Sequence, residues 1–189
     1  AYQPVRSLST LNMVLNQGLS AGSRILPIID QKNNIADSSH AKTIQVKNSN
    51  IKFQNVIFYY EKDEGPTLDK INLEFEGGKM TSLVGHSGSG KSTIMNLIPR
   101  FYNVQSGEIF IDDQSINKLT IRSLREQISM VSQETTLFDD TIKNNIKYAR
   151  ENATDDEIYH VAKLSFCEEF ISNLPNKYET LIGENGVRL

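Results

Sequence analysis

A chain of 189 residues with a formal charge of −3 is long enough for one domain with a real core, and its charge gives no bulk attraction to nucleic acid or anionic lipid. The single cysteine, Cys167, excludes an internal disulfide and any multi-cysteine metal site, and reads as a small buried apolar group. No apolar run approaches the roughly 20 residues that cross a bilayer, and residues 1–19 lack the basic start and apolar centre of a secretory leader. The chain does not open on Met, which fits a fragment or a processed chain.

Apolar residues at Val5, Leu8, Leu11, Leu15, Leu19, Ile25 and Ile29 fall in steps that sum to a helical stripe. The pattern predicts an amphipathic helix with Pro4 near its start, and a kink or stop at Pro27, which cannot bond the Ser23 carbonyl. Such a helix either packs on its own domain or connects to another part of a larger protein. Residues 31–50 are polar, carry Asn33-Asn34 and Asp37-Ser38-Ser39 as breakers, and read as a linker with the folded domain beginning near Ile51. His40 reads there as a solvated surface histidine.

Ile51 to Tyr60 is rich in β-branched and aromatic residues, and Ile71 to Glu76 alternates strictly. With the charged segment Glu61 to Pro66 between them they predict two antiparallel strands, followed by a turn at Gly77-Gly78. Met80-Thr81-Ser82-Leu83-Val84 is a short, mostly apolar run suited to a buried strand, and Thr93 to Ile98 reads as the start of a helix.

Between that run and that helix stands Gly85-His86-Ser87-Gly88-Ser89-Gly90-Lys91-Ser92, the G-x-x-x-x-G-K-S pattern of a phosphate-binding loop in the strand-loop-helix context it requires. Glycines at 85, 88 and 90 let consecutive N–H groups turn inward toward an anion, and the helix start adds its positive dipole end. Lys91 would place its charge on the β- and γ-phosphates, with the Ser92 hydroxyl positioned to ligate Mg²⁺.

Further on, Ser106-Gly107 reads as a turn and Glu108 to Ile111 as a strand. Ile109 to Asp113 resembles an apolar run ending in a metal-binding carboxylate, but it lies close behind Lys91 and is followed by Gln114-Ser115, which favours a hairpin turn with Asp side chains bonding the backbone. Leu119 to Gln127 has helical spacing and leads into Ile128 to Ser132, a predicted buried strand ending at Gln133. Thr154-Asp155-Asp156-Glu157 forms a capping box that opens a helix through Phe166; a second helical piece covers Glu168 to Asn173, and Gly183 to Gly186 is a loop.

Taken together, Asn55 to Tyr60, Leu68 to Leu73, Gly85 to Thr93, Arg100-Phe101-Tyr102, Ser106 to Ile109, Ser123-Leu124-Arg125, Val131-Ser132-Gln133 and Leu137 to Ile146 resemble the nucleotide-binding domain of an ABC transporter. The likeness covers 51–189 and is best to exporters of lipid A, peptides or drugs, whose ATPase is fused behind a six-helix membrane domain. It implies an α/β fold: a P-loop NTPase core of the ABC type with an antiparallel β subdomain and the start of a helical subdomain, preceded by an amphipathic helix. Residues 1–30 then correspond to the cytoplasmic end of the last membrane helix, 31–50 to a linker and 51–189 to the N-terminal part of the ATP-binding domain.

The resemblance assigns the ATP site to Tyr60, stacking on adenine, and to Gly85, His86, Ser87, Gly88, Ser89, Gly90, Lys91, Ser92 and Thr93 around the phosphates. Tyr59 is the alternative platform, since adjacent strand residues face opposite ways. Lys91 and Gln133 take the catalytic roles, and Ser92 and Gln133 hold Mg²⁺. Gly183 to Gly186 is similar to the loop before the signature sequence, where exporters meet their membrane domain. Asp112-Asp113 falls where the family has an Asp-Gly turn. The implied partners are a second ATP-binding domain arranged head to tail and the coupling helices of the membrane domain, with no nucleic acid, on the cytoplasmic side of the membrane. Family domains continue after Val187-Arg188-Leu189 with Ser-Gly-Gly-Gln, so the signature, the catalytic Glu and the switch His are expected beyond Leu189; His160, inside a helix, is no substitute. This chain alone is then expected to bind Mg-ATP weakly, without turnover, and to be poorly stable. Two other readings are a soluble ABC ATPase and a shortened, catalytically dead interaction protein.

Overall fold

The computed structural model describes residues 2–31, 33, 35–61, 63, 65–133 and 136–186, the side chains of 2–9 and 185 excepted. Val187, Arg188 and Leu189, the side chains of Val5 and Leu8, and residues 62 and 64 of the charged turn lie outside that description. The chain forms two compact units, Ala1–Ser129 and Met130–Leu189.

Helix α1 (Tyr2–Ile29) opens the first unit. Of the kink or stop expected at Pro27, the stop does not occur: the helix runs on to Ile29, and Asp30 donates its N–H to the Leu26 carbonyl. The proline removes one bond to the preceding turn, and the flanking residues keep theirs. From Thr10 to Ile29 nearly every side chain is exposed, the apolar ones included. No helix among the described residues is long and apolar enough to cross a membrane.

The sheet follows from β-branched and aromatic alternation. Strands β1 (Ile51–Phe58), β2 (Leu68–Phe75), β3 (Ser106–Ile111) and β4 (Gln114–Ser115) lie in the order β2-β1-β3-β4, all neighbours antiparallel. Phe53 pairs with Leu73 on one side and Ile109 on the other. One face buries Phe53, Val56, Phe58, Leu68, Ile109 and Ile111 against Ile94 and Leu97 of α2 (Lys91–Leu97). Asn55 and Lys70, both at positive φ, mark irregularities in the β1-β2 ladder. The Asn72 side chain bridges one of them, accepting from the Asn55 N–H at 2.9 Å and donating to its side-chain oxygen at 3.0 Å.

Two expected strands do not form. Met80–Val84 and Ile128–Ser132 have no ladder partner among the described residues. Met80 is 96% exposed, Val84 93% and Val131 97%, although Leu83 and Ile128 pack against the core. A buried parallel strand needs hydrogen-bonding neighbours, and the antiparallel sheet supplies none to these runs.

The polar stretch read as a linker is bonded along the first unit. Lys42 donates its N–H to the Lys118 carbonyl and Thr120 returns the bond to Lys42. The Gln114 side chain makes a two-way amide pair with the backbone of Gln45 at 3.1 and 2.7 Å. Asp37 caps Ile121 N–H at the start of α3 (Ile121–Arg125). Buried Arg100 donates to the carbonyls of Ile116, Leu119 and Ala36; burial lowers its pKa against the opposing pull of Asp37. The β3-β4 turn, Asp112-Asp113 at φ 47° and 63°, is the expected hairpin. Its Asp112 carboxylate accepts the backbone N–H groups of Lys47, Asn48, Ser49 and Asn50 at 2.6 to 3.1 Å. Those bonds, that from Lys47 foremost, hold its pKa down at about 2.

The second unit is helical. Thr141 caps α4 (Ile142–Lys147), a helix that periodicity did not reveal. Thr154 and Glu157 form the expected capping box on α5 (Asp155–Leu164), which is followed by α6 (Cys167–Ile171). Ile142, Ala162, Ile171 and Ile182 make its core, with half-buried Cys167 packed against it. Bonds from Ile142 N–H to Thr180 and from Ile182 N–H to Asp140 close the unit.

Candidate nucleotide site

The phosphate loop spans Gly85 to Ser92 and ends at the first turn of α2. Gly88 and Gly90 lie at φ 79° and 83°, in the left-handed region. A Cβ on Gly90 would also meet Leu68 Cδ2 at 2.7 Å, so the loop turns where only glycine fits against β2. Gly90 caps α2 without a side chain, which leaves the first N–H groups of the helix for an incoming acceptor. Half-buried Lys91 curls over its own loop, donating from Nζ to the Gly85 and His86 carbonyls at 2.9 and 2.7 Å and to Ser89 Oγ at 3.3 Å. An ammonium parked on neutral acceptors stands ready to exchange them for phosphate oxygens, which bind it more strongly. His86, Ser87, Ser89 and Ser92 are exposed on the loop, and Thr93 is buried behind it.

Beside the loop, at the end of β1, Tyr60 joins an aromatic corner. Its ring meets Phe58 edge-on at 4.8 Å and Tyr102 at 5.0 Å, with interplanar angles of 85° and 90°. Its hydroxyl pairs with Thr93 Oγ1 at 3.2 Å. Tyr60 is thus linked to the phosphate-loop helix, with 46% of its surface exposed. The neighbouring Tyr59 is held by its backbone, its N–H and carbonyl clamped by the Gln105 side chain at 3.0 Å each.

Residues 68–187, more than half of the chain, match the family described as ABC transporter. The chain belongs to the ABC transporter family. It is 42% identical over its whole length to an ATP-dependent lipid A-core flippase of Desulfotalea psychrophila, covering 33% of that protein. A flippase of the same description from Syntrophus aciditrophicus is 40% identical and 31% covered. A multidrug export ATP-binding/permease protein of Staphylococcus aureus is 45% identical over 87% of this chain and 28% covered. Among solved structures, a bacterial Atm1-family ABC exporter with ATP bound superposes with a TM-score of 0.88 at 36% identity, over all of this chain and 33% of that one. The chain spans about a third of the length of these ABC relatives.

In this ABC ATPase fold the structure brings Tyr60, Thr93 and the phosphate loop together within the first unit. Gln133 belongs to the second unit, where it is exposed. In the Gly183 to Gly186 loop both glycines take positive φ, and a Cβ on Gly186 would approach Leu137. Asp112 spends its carboxylate on backbone N–H groups, which leaves it no metal role. His160 lies within α5.

The donor set suits Mg²⁺ only in the company of phosphates. No group of three or more His, Cys, Asp or Glu side chains among the described residues could hold a metal. Mg²⁺ beside a nucleotide, however, needs one or two protein oxygens and takes the rest from phosphate and water, and Ser92 offers such a hydroxyl. Tyr102 and Gln105 were not singled out as site residues from the sequence. They sit in irregular chain after α2, where no periodicity reports on them.

Proposed function

We propose that this chain is the ATP-binding part of an ABC exporter, which couples ATP binding and hydrolysis to transport across a membrane. The observation that carries this reading is the phosphate loop itself: Lys91 held over Gly85, His86 and Ser89, with the exposed ring of Tyr60 linked to Thr93 alongside. Tyr60 stacks on adenine. Gly85 to Gly90 present backbone N–H groups to the phosphates, Lys91 moves from its carbonyls to the β- and γ-phosphates, and Thr93 closes the α-phosphate end. Ser92 and Gln133 would hold Mg²⁺, which neutralises charge on the transferred phosphoryl group when bound. The Gln133 amide oxygen also reaches the water that attacks the γ-phosphate.

In the whole protein two such domains close head to tail on two ATP molecules and meet the coupling helices of a membrane domain on its cytoplasmic side. Residues 1–30 continue the last membrane helix, and 31–50 lead from it to the ATP-binding domain. The flippase and multidrug-export descriptions of the relatives support an exported lipid or drug as substrate.

The test is nucleotide binding and turnover in the full-length protein. Lys91→Ala should weaken ATP binding by at least about tenfold, the loss of a charge-assisted contact, and abolish steady hydrolysis. Unchanged turnover in that variant would overturn the reading.

A further inference from the structure

We propose that Tyr102 is a positioning residue for recognition of the nucleotide base. It fixes the angle of the Tyr60 ring to the phosphate loop without itself needing to touch the nucleotide. The inference rests on the reading of Tyr60 as the adenine platform.

Tyr60 stands two residues beyond Phe58, where β1 has already ended and no ladder bond holds the chain. An aromatic platform is useful only if its face is presented in one orientation, since stacking gains little when the ring must first be ordered. Three contacts provide that order. Phe58, almost fully buried, stands nearly perpendicular to the Tyr60 ring with centres 4.8 Å apart. Thr93, in the first turn of α2, takes the hydroxyl and ties the ring to the helix that carries Lys91 and Ser92. Tyr102 stands at 90° to Tyr60 with its ring centre 5.0 Å away, and it also meets Phe58 at 5.6 Å.

Tyr102 is fixed from the same helix. The turn after α2 is closed by bonds from Arg100 N–H to Leu97 and from Phe101 N–H to Asn96. Arg125 donates to the carbonyls of Pro99 and Arg100 at 2.9 Å each and lies 5.1 Å over the Phe101 ring. Gln105, three residues further, clamps the Tyr59 backbone and so fixes which of the two adjacent tyrosines turns toward Thr93. The base platform is therefore held by both ends of one helix: its N-terminal turn through Thr93, and the turn behind its C-terminus through Tyr102. Distance and angle between base and phosphates become properties of α2.

The experiment measures binding of two unhydrolysed probes, AMP-PNP and tripolyphosphate, to the full-length protein and its Tyr60→Ala, Tyr102→Ala, Tyr102→Phe and Tyr60→Ala/Tyr102→Ala variants. Tyr60→Ala should weaken AMP-PNP about 5- to 150-fold, as loss of a base stack does, and leave tripolyphosphate unchanged. Tyr102→Ala should weaken AMP-PNP about 2- to 10-fold, the scale of an edge-to-face ring pair, again with tripolyphosphate unchanged. Tyr102→Phe, which keeps the ring, should restore wild-type binding, and the double variant should bind no worse than Tyr60→Ala. Equal losses for both probes in Tyr102→Ala would make the residue merely structural and overturn the proposal. So would independent, multiplying losses in the double variant, or no loss in Tyr102→Ala while Tyr60→Ala is impaired. Unimpaired AMP-PNP binding by Tyr60→Ala would remove the platform reading itself.

Discussion

Strand β1 and the run Met80–Val84 are both short and mostly apolar, yet one lies at the heart of a sheet and the other has its first and last side chains almost wholly in solvent. Composition does not separate them. Partners do: β1 has β2 on one side and β3 on the other, whereas Met80–Val84 and Ile128–Ser132 have no strand beside them among the described residues. Hydrophobicity makes a segment eligible for burial, and the supply of backbone hydrogen bonds decides whether it becomes a strand.

The sharpest way to break this contrast is a pair of core and edge substitutions. Phe53→Ala, in the middle of β1, should cost about 3–5 kcal/mol of stability, whereas Val131→Ser should change it by less than about 0.5 kcal/mol, both read from urea unfolding at low protein concentration. The reverse ranking would show that the runs outside the sheet, not the antiparallel sheet, carry the fold. A related outcome is association: Val84→Lys together with Val131→Lys should lower light scattering by the 189-residue chain, since exposed apolar side chains outside the sheet invite contact between copies.

Next in size is Gly90→Ala. It forces a side chain into the left-handed region and onto Leu68 of β2, so about 1–3 kcal/mol should be lost, along with tripolyphosphate binding. Loss of binding with full stability would mean that the loop is independent of the sheet it touches.

Thr154→Ala, away from both kinds of run, should cost about 1 kcal/mol, the usual worth of an N-cap. The Glu157 carboxylate is held below its ordinary pKa by the Thr154 backbone N–H. The cap is therefore complete above the ordinary carboxylate pKa and weakens as pH falls below it.

The smallest effect is local. Asp112→Asn should speed amide hydrogen exchange at Lys47 to Asn50 while leaving β1 protected. The same loosening should appear in the wild type on acidification: the Asp112 contribution is fully present above the ordinary value of 3.8 and is lost as pH falls through about 2. Unaltered exchange in Asp112→Asn would show that the polar stretch is held by its other bonds alone.

Much of this was legible because the information was local. The β-branched and aromatic run from Ile51, the alternation from Ile71 and the capping box at Thr154 each specify a structure within a few residues, and two antiparallel strands and the capped helix form there. Asp112-Asp113 was legible as a turn for the same reason. What stayed hidden depended on distant partners. Residues 36–50 are polar and aperiodic, and bonds to Arg100, Asp112, Gln114, Lys118, Thr120, Ile121 and Ser123 give them a path along the first unit. The α4 helix is short and amphipathic in neither a strong nor a sustained way, and its position comes from Thr141 and the closing bonds to Thr180 and Asp140. At the site, Tyr60 and Thr93 lie far apart in sequence, so no spacing rule could have joined them.

Helix α1 gives the tethered stretch a mechanical meaning. Its 28 residues make a rod about 42 Å long, continued by chain whose hydrogen bonds fasten it to the sheet. Leverage follows from length alone: tilting a helix of this length by about 10° about its C-terminal end sweeps its N-terminal end through about 7 Å. A rotation of that size at Ile29 is read at Tyr2 as a displacement larger than a helical turn.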